Sequence, residues 1–214
     1  PEHWDVKRLK FIAKAFIGIT YSPAELVDDP NKGILVLRSV NIQQGKLSLK
    51  DNVYVDKNVS EPYKLKLGDI LICSRNGSKD LVGKNICIDE NAEGNTFGAF
   101  MSVIRSENWR YLSFYFNSQL FSSQSGLYAT TTINQLTLNT LNNLFVALPP
   151  SIDEQLEIVD FLNNKLSFID KLIKTNQDFI NSVMEYRTSL ISDAVTGKID
   201  VRDYAERVSE PGVT

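Results

Sequence analysis

Three stretches of the chain gather hydrogen-bonding side chains next to positive charge. Ser74-Arg75-Asn76-Gly77-Ser78-Lys79 follows an apolar run. Gln43, Gln44 and Lys46 surround a turn signal at Gly45. Tyr128, Thr130 and Asn134 lie in a polar segment just after Gly126. Arg matches the edge of guanine bidentately, Asn and Gln match adenine, and Lys, Ser and Thr hold phosphate oxygens. The chemistry these types suit is base reading with phosphate positioning, and the candidate contacts are Gln43, Gln44, Lys46, Arg75, Asn76, Ser78, Lys79, Tyr128, Thr130 and Asn134. The same types fill ordinary solvated loops, so type and spacing alone leave both readings open. Arg38 reads as a salt-bridged strand residue, and Trp4 and Trp109 read as packing anchors.

Catalysis finds little to work with. The single histidine is His3, and the two cysteines, Cys73 and Cys87, each sit in an apolar run. That rules against Ser-His-Asp and Cys-His sites and against a zinc centre. The cysteines read as reduced, buried and structural. Neither a G-x-x-x-x-G-K-[ST] loop nor a G-x-G-x-x-G loop is present. Leu148-Pro149-Pro150-Ser151 lacks the flanks of an amino-methyltransferase motif, and Asp5-Val6-Lys7 is the only acid-x-Lys triplet. The chain reads as non-catalytic, with no cofactor or metal of its own. A metal-dependent nuclease resting on Asp69 or Glu90 is the enzymatic rival.

The elements that must position these loops divide at Leu148-Pro149-Pro150. Residues 1–150 carry 16 Lys and Arg against 14 Asp and Glu, whereas residues 151–214 carry 7 against 12. The front is mildly basic and the back acidic. Residues 1–150 show short apolar runs broken by Gly, Asn and Ser, the texture of a mixed α/β globule. Expected strands cover residues 33–37, 69–73, 82–88 and 98–104, with a hairpin over 41–47. Asp5–Phe16 fits a short amphipathic helix or an edge segment, and Trp109–Phe121 fits one aromatic-rich helix.

Beyond Pro150 one helix is expected from Ser151 to Thr196. Ser151-x-x-Glu154 reads as a capping box, and Gly197 as the stop. At 1.5 Å per residue it spans roughly 65–70 Å. Val159, Leu166, Ile173, Ile180, Arg187 and Ala194 occupy one heptad position, and Leu162, Ile169, Asn176, Val183 and Leu190 the other; nine of these eleven are apolar. Such a seam calls for a partner helix. The expected interface is Val159, Leu162, Leu166, Ile169, Ile173, Asn176, Ile180, Val183 and Leu190. An antiparallel homodimer centred on Asn176 would set Ile169 against Ile180 and Leu166 against Val183. No apolar run approaches the ~20 residues of a membrane span. Pro1–Asp5 lacks the order of a secretory leader, so the expected compartment is the cytoplasm.

Read together, these segments resemble a known family. Leu65-Lys66-Leu67-Gly68-Asp69-Ile70-Leu71-Ile72, followed by Arg75-Asn76-Gly77, is similar to the GDIL-x-x-R-x-G segment of type I restriction–modification specificity subunits. Pro1–Leu9 resembles the opening of their target recognition domains. Thr132–Leu136 and Leu148–Gln155 resemble the end of that domain and the start of the conserved helix, and Ala194–Asp200 resembles the helix's ending. The resemblance implies an α/β target recognition domain over 1–150, a long coiled-coil spacer helix over 151–200 and a tail over 201–214. It implies double-stranded DNA as ligand, with methyltransferase subunits and a motor-nuclease subunit as partners. S-adenosylmethionine, ATP and Mg would belong to those partners, not to this chain. The family carries two recognition domains and two helices per chain, and this sequence has one of each. It is either a fragment or a half-subunit that dimerises. The rival outside the family is a coiled-coil scaffold that does not bind DNA.

Overall fold

A computed structural model describes residues 1–127 and 134–201. In chain order the strands are β1 Asp5–Arg8, β2 Lys14–Ile17, β3 Leu26–Val27, β4 Ile34–Leu37, β5 Ile42–Gln43, β6 Lys46–Leu47, β7 Tyr54–Val55, β8 Ile70–Cys73, β9 Asn85–Cys87, β10 Thr96–Phe97, β11 Met101–Arg105 and β12 Phe145–Leu148. The helices are α1 Trp109–Tyr115, α2 Gln119–Leu127, α3 Leu138–Asn143 and α4 Ile152–Val195. The chain forms two compact units, Pro1–Asp160 and Phe161–Thr214. The first takes in the opening turns of α4, so its limit falls ten residues past the composition break at Pro150.

The first unit is built on the antiparallel sheet β2-β11-β8-β9. Side chains alternate across a strand, and here both faces are buried. Ile70, Ile72 and Ile104 join Leu112, Phe116, Phe121 and Leu141 in one core, while Leu71, Cys73, Met101 and Val103 join Leu37, Ile42, Ile86 and Phe97 in another. That two-sided burial explains why Ile70–Cys73 is continuously apolar rather than alternating. A second sheet runs β10-β4-β7-β3, with β10 parallel to β4.

Tertiary context decides two segments. Asp5–Phe16, read as a short helix or an edge segment, takes the second form. It forms β1, a single 3-10 turn over Leu9–Phe11, and β2. Its backbone groups find partners elsewhere: β1 pairs with β12, and the Leu9 N–H donates to the Leu144 carbonyl at 2.8 Å. Trp109–Phe121 breaks into α1 and α2. Ser118 Oγ accepts the Phe121 N–H at 3.3 Å, restarting the helix with a new cap. Asn117 meanwhile donates back to the Ser113 carbonyl and across to Asn85 Oδ1.

The Gly68-Asp69-Ile70-Leu71 stretch is structural. Gly68 has φ +84°, and a Cβ there would meet the Trp109 ring at 2.8 Å. Only glycine fits both demands. Asp69 is 1% exposed. It accepts Arg105 Nε at 2.7 Å, Arg105 Nη2 at 2.6 Å and the Lys66 N–H at 2.8 Å. The same Arg105 donates to the Lys64 carbonyl at 2.9 Å. This bidentate pair ties the 64–69 turn to the end of β11.

The start of α4 also differs from a reciprocal capping box. Ser151 Oγ accepts the Glu154 N–H at 3.5 Å. The Glu154 carboxylate turns to the N-terminal segment instead, accepting Trp4 Nε1 at 2.9 Å and meeting His3 Nε2 at 3.0 Å. These two groups hold its pKa below the ordinary carboxylate value. Gln155 is buried and donates to the Pro149 carbonyl at 2.9 Å. Val159, assigned to the helix seam by its heptad position, is 5% exposed inside the first unit, so it is a packing residue of that unit.

In the second unit the helix leaves its apolar stripe uncovered. Leu166, Ile169, Ile173, Ile180, Val183 and Leu190 are exposed, and Leu162 is half-buried. Phe168, Leu172, Phe179 and Ile191 widen the stripe. Asn176 donates to the Leu172 carbonyl of its own helix at 2.9 Å. α4 ends at Val195. Gly197 then takes φ +76°, and the Lys198 N–H closes on the Asp193 carbonyl at 2.9 Å. Of the tail assigned to 201–214, all but Val201 lies outside the described residues. Among the described residues, no helix is long and apolar enough to cross a membrane.

Breaking a buried ion pair by neutralising one partner costs about 3–5 kcal/mol, because the other charge is left unpaired. Asp69→Asn should therefore lower the unfolding free energy by about that much, read as a lower urea midpoint at an unchanged m-value. A shift below ~1 kcal/mol would mean that the pair does not hold the turn.

Candidate nucleic-acid interface

The loop after β8 is fixed from both sides. The N–H groups of Ser74 and Arg75 both donate to the Phe100 carbonyl, at 2.9 and 3.0 Å. On the other side the Leu136 N–H donates to the Ser74 carbonyl at 2.7 Å, and Arg75 bridges Gln135. Asn134 then holds the loop tip: its carbonyl accepts the Asn76 N–H at 3.4 Å, and its Nδ2 donates to the Gly77 carbonyl at 3.3 Å. Asn76 does internal work as well. Its Oδ1 accepts the Ser78 N–H at 3.0 Å, closing an Asx turn, and its Nδ2 donates to Ser39 Oγ at 3.3 Å.

The hairpin β5–β6 pairs Ile42 with Leu47 and Gln43 with Lys46. Its two-residue turn is Gln44-Gly45, with φ +51° and +71°. Positive φ at both positions is what a type I′ turn demands, and glycine supplies it without strain at the second. Gln43 folds back onto the Val40 carbonyl at 2.9 Å. Among the described residues, the side chains of Gln44, Lys46, Ser78 and Lys79 are exposed and make no hydrogen bond.

The fold brings the separate segments to one place. Gly45 at the hairpin tip, Lys79 from the loop, and Asn134 and Gln135 line one groove of about 510 Å³, joined by Lys84 and Asn117. On the Ser39 side lies a second groove of about 500 Å³, lined by Thr20, Tyr21, Arg38, Ser39, Val40 and Phe100. Among the described residues, Asp80 is the one acidic lining residue of the first groove, and the second has none. Tyr128 and Thr130 lie outside the described residues.

Arg38 is not a salt-bridged strand residue. It follows β4 rather than sitting in it, and its Nη2 donates to the Asp51 carbonyl at 3.0 Å. No carboxylate pairs with it among the described residues, and its Nε is buried without a partner. Arg38, Tyr21, Lys84 and Phe100 line these grooves and were not selected from the sequence. Phe100 was hidden inside an apolar run expected to be strand. The strand begins one residue later, and the turn closed by the Met101 N–H on the Gly98 carbonyl at 2.8 Å leaves Phe100 59% exposed.

Asp69 is committed to Arg105. Among the described residues, no three His, Cys, Asp or Glu side chains gather in a way that could hold a metal ion. Cys73 is fully buried and Cys87 half-buried. Burial pushes both thiols up, Cys87 to about 11, so both stay protonated and unreactive at neutral pH.

Residues 1–182 match the type I restriction modification DNA specificity domain. The sequence is 29% identical over 205 residues to the type I restriction enzyme EcoKI specificity subunit of Escherichia coli K12, covering 93% of this chain and 44% of that protein. It is 27% identical to the StySPI specificity subunit of Salmonella potsdam over the same share. The chain thus spans about half the length of the curated relatives it matches. In fold it is similar to a chain from a type I restriction–modification assembly, with TM-score 0.74 at 17% identity over 91% of this chain and 46% of that one. It is also similar to the HsdS subunit of Thermoanaerobacter tengcongensis, with TM-score 0.63 at 18% identity over 82% and 40%.

Asn76 is the internal brace of the loop. Asn76→Ala removes the Asx turn and the tie to Ser39. At about 1 kcal/mol per lost hydrogen bond, amide exchange at Ser78 should rise roughly fivefold or more. Unchanged exchange would show that the loop is held by the Asn134 contacts alone.

Proposed function

The chain belongs to the type I restriction–modification DNA specificity family, and from that premise we propose that it recognises a DNA sequence for separate catalytic subunits. One observation carries this: Gly45 at the hairpin tip, Lys79 of the loop and Asn134, far apart in sequence, line one groove together with Lys84. The free Lys, Ser and Gln side chains of the hairpin and the loop suit phosphate and base contacts, while the braced Asn76 and Asn134 keep the loop in one shape. The globular unit is the target recognition domain. Methylation and cleavage are done in trans by methyltransferase and motor-nuclease subunits, which hold S-adenosylmethionine, ATP and Mg. This chain contributes no catalytic step.

The uncovered stripe on α4 supports a homodimer. An exposed apolar face of this length marks an interaction surface. An antiparallel pairing centred on Asn176 sets Ile169 against Ile180 and Leu166 against Val183, and closes with two-fold symmetry. Two identical recognition domains would then read a bipartite site with inverted identical halves. The helix would set the length of the unread spacer. Such a complex works in the cytoplasm, where the chromosome is.

A genome-wide methylation map from cells expressing this chain with its methyltransferase subunit tests the proposal. The expected result is one new bipartite motif with inverted identical halves. Removing one heptad from within residues 163–175, between each recognition domain and the two-fold at Asn176, brings each domain about 10 Å nearer the axis. The two domains approach by about 20 Å, so the spacer should shrink by about six base pairs, at 3.4 Å per base pair, or methylation should stop. A new motif without inverted symmetry would refute the homodimer. An unchanged spacer would refute the role of the helix. No new motif, with both proteins soluble and associated, would favour a scaffold that does not bind DNA.

A further inference from the structure

Sequence recognition requires a side chain that tells one base pair from another, beyond those that hold phosphates. We infer that Arg75, stacked on Phe100, is a guanine-reading residue of this domain and that Phe100 is its positioning residue. The inference rests on the DNA-recognition reading above. The Arg75 guanidinium carbon lies 5.3 Å from the centroid of the Phe100 ring. That ring is 59% exposed, although the next residue, Met101, is buried in the core. The main chains of the two residues are locked together by the hydrogen bonds from Ser74 and Arg75 to the Phe100 carbonyl. A guanidinium held over an aromatic face is drawn to that side of the ring while its N–H groups stay available.

Arg75 differs in its partners from the ion-paired arginine of the same unit. Arg105 spends its fork on Asp69. Arg75 has no carboxylate partner among the described residues, and its side chain makes no hydrogen bond. An unspent fork matches the O6 and N7 acceptors that guanine presents in the major groove. Beside it the acid-free groove of Tyr21, Arg38 and Ser39 leaves no anion to compete for the guanidinium. Arg38 is anchored on the Asp51 carbonyl and adds positive potential for the neighbouring phosphates.

The test selects binding sites from a randomised duplex library, using the full chain with its methyltransferase subunit. Wild type should enrich a motif with at least one fixed G·C pair. Arg75→Lys keeps the charge and loses the fork. It should cut discrimination at one G·C position roughly five- to hundredfold, the equivalent of about 1–3 kcal/mol, with the salt dependence of non-specific binding unchanged. Phe100→Leu should weaken the same position, and Phe100→Tyr, which keeps an aromatic face, should restore it. A merely structural Phe100 would instead change overall affinity and leave the preference intact. If Arg75→Lys leaves every position as sharp as before, or relaxes an A·T pair, the inference is wrong while DNA recognition stands. If wild type shows no sequence preference, the recognition reading fails and the inference with it.

Discussion

The register of β8 against β11 is the constraint on which the rest of the first unit depends. Cys73 pairs with Met101 and Ile70 with Ile104. At one end of this ladder stand Asp69 and Arg105, and at the other Arg75 and Phe100. The ion pair therefore does more than satisfy two charges. Arg105 reaches Asp69 with both oxygens only when the strands are aligned as they are, and a slip of one residue would exchange the two core faces. Both faces are packed, so the slip would turn Ile70, Ile72, Leu71 and Cys73 into the wrong cores at once. The alignment that buries these side chains is the alignment that sets Arg75 over Phe100.

This division explains what the Gly68-Asp69-Ile70-Leu71 segment is for. Its side chains are spent on the fold. Gly68 fits beneath Trp109, Asp69 locks the turn, and Ile70 and Leu71 begin a strand buried on both sides. The side chains free for recognition start only at Arg75. A motif shared across a family can thus be a mounting, with the variable chemistry placed just beyond it.

Much of the fold was legible in the sequence because strong local signals agreed with it. The apolar run at Ile70–Cys73, the turn at Gln44-Gly45, the prolines before α4 and Gly197 after it all mark elements that are present. What misled was local pattern overridden by distant partners. The Leu9–Phe11 region pairs with residues more than 130 positions away, and Glu154 leaves its own helix terminus for Trp4. Val159 fits the heptad yet belongs to the globular core, because a heptad register states only which residues share a face, not what covers that face. The polar loops could be picked out by composition, but their meeting at one groove could not. Nor could Phe100, whose exposure depends on where a strand starts.

The charge balance points the same way as the proposed assembly. A chain with net charge −3 is an unusual DNA reader if binding rests on bulk attraction. Here the acidic excess lies in residues 151–214, and among the described residues the cations lining the two grooves are few: Arg38, Lys79 and Lys84. With each phosphate contact adding only a modest share of affinity, one such domain holds its half-site weakly. Joining two domains through a helix pair makes the second contact intramolecular, and affinity then rises through effective concentration without new charge. Weak halves also protect specificity, since a duplex carrying only one half-site gains none of that advantage. On the proposed reading the long helix is therefore part of the recognition energetics as well as the ruler between half-sites.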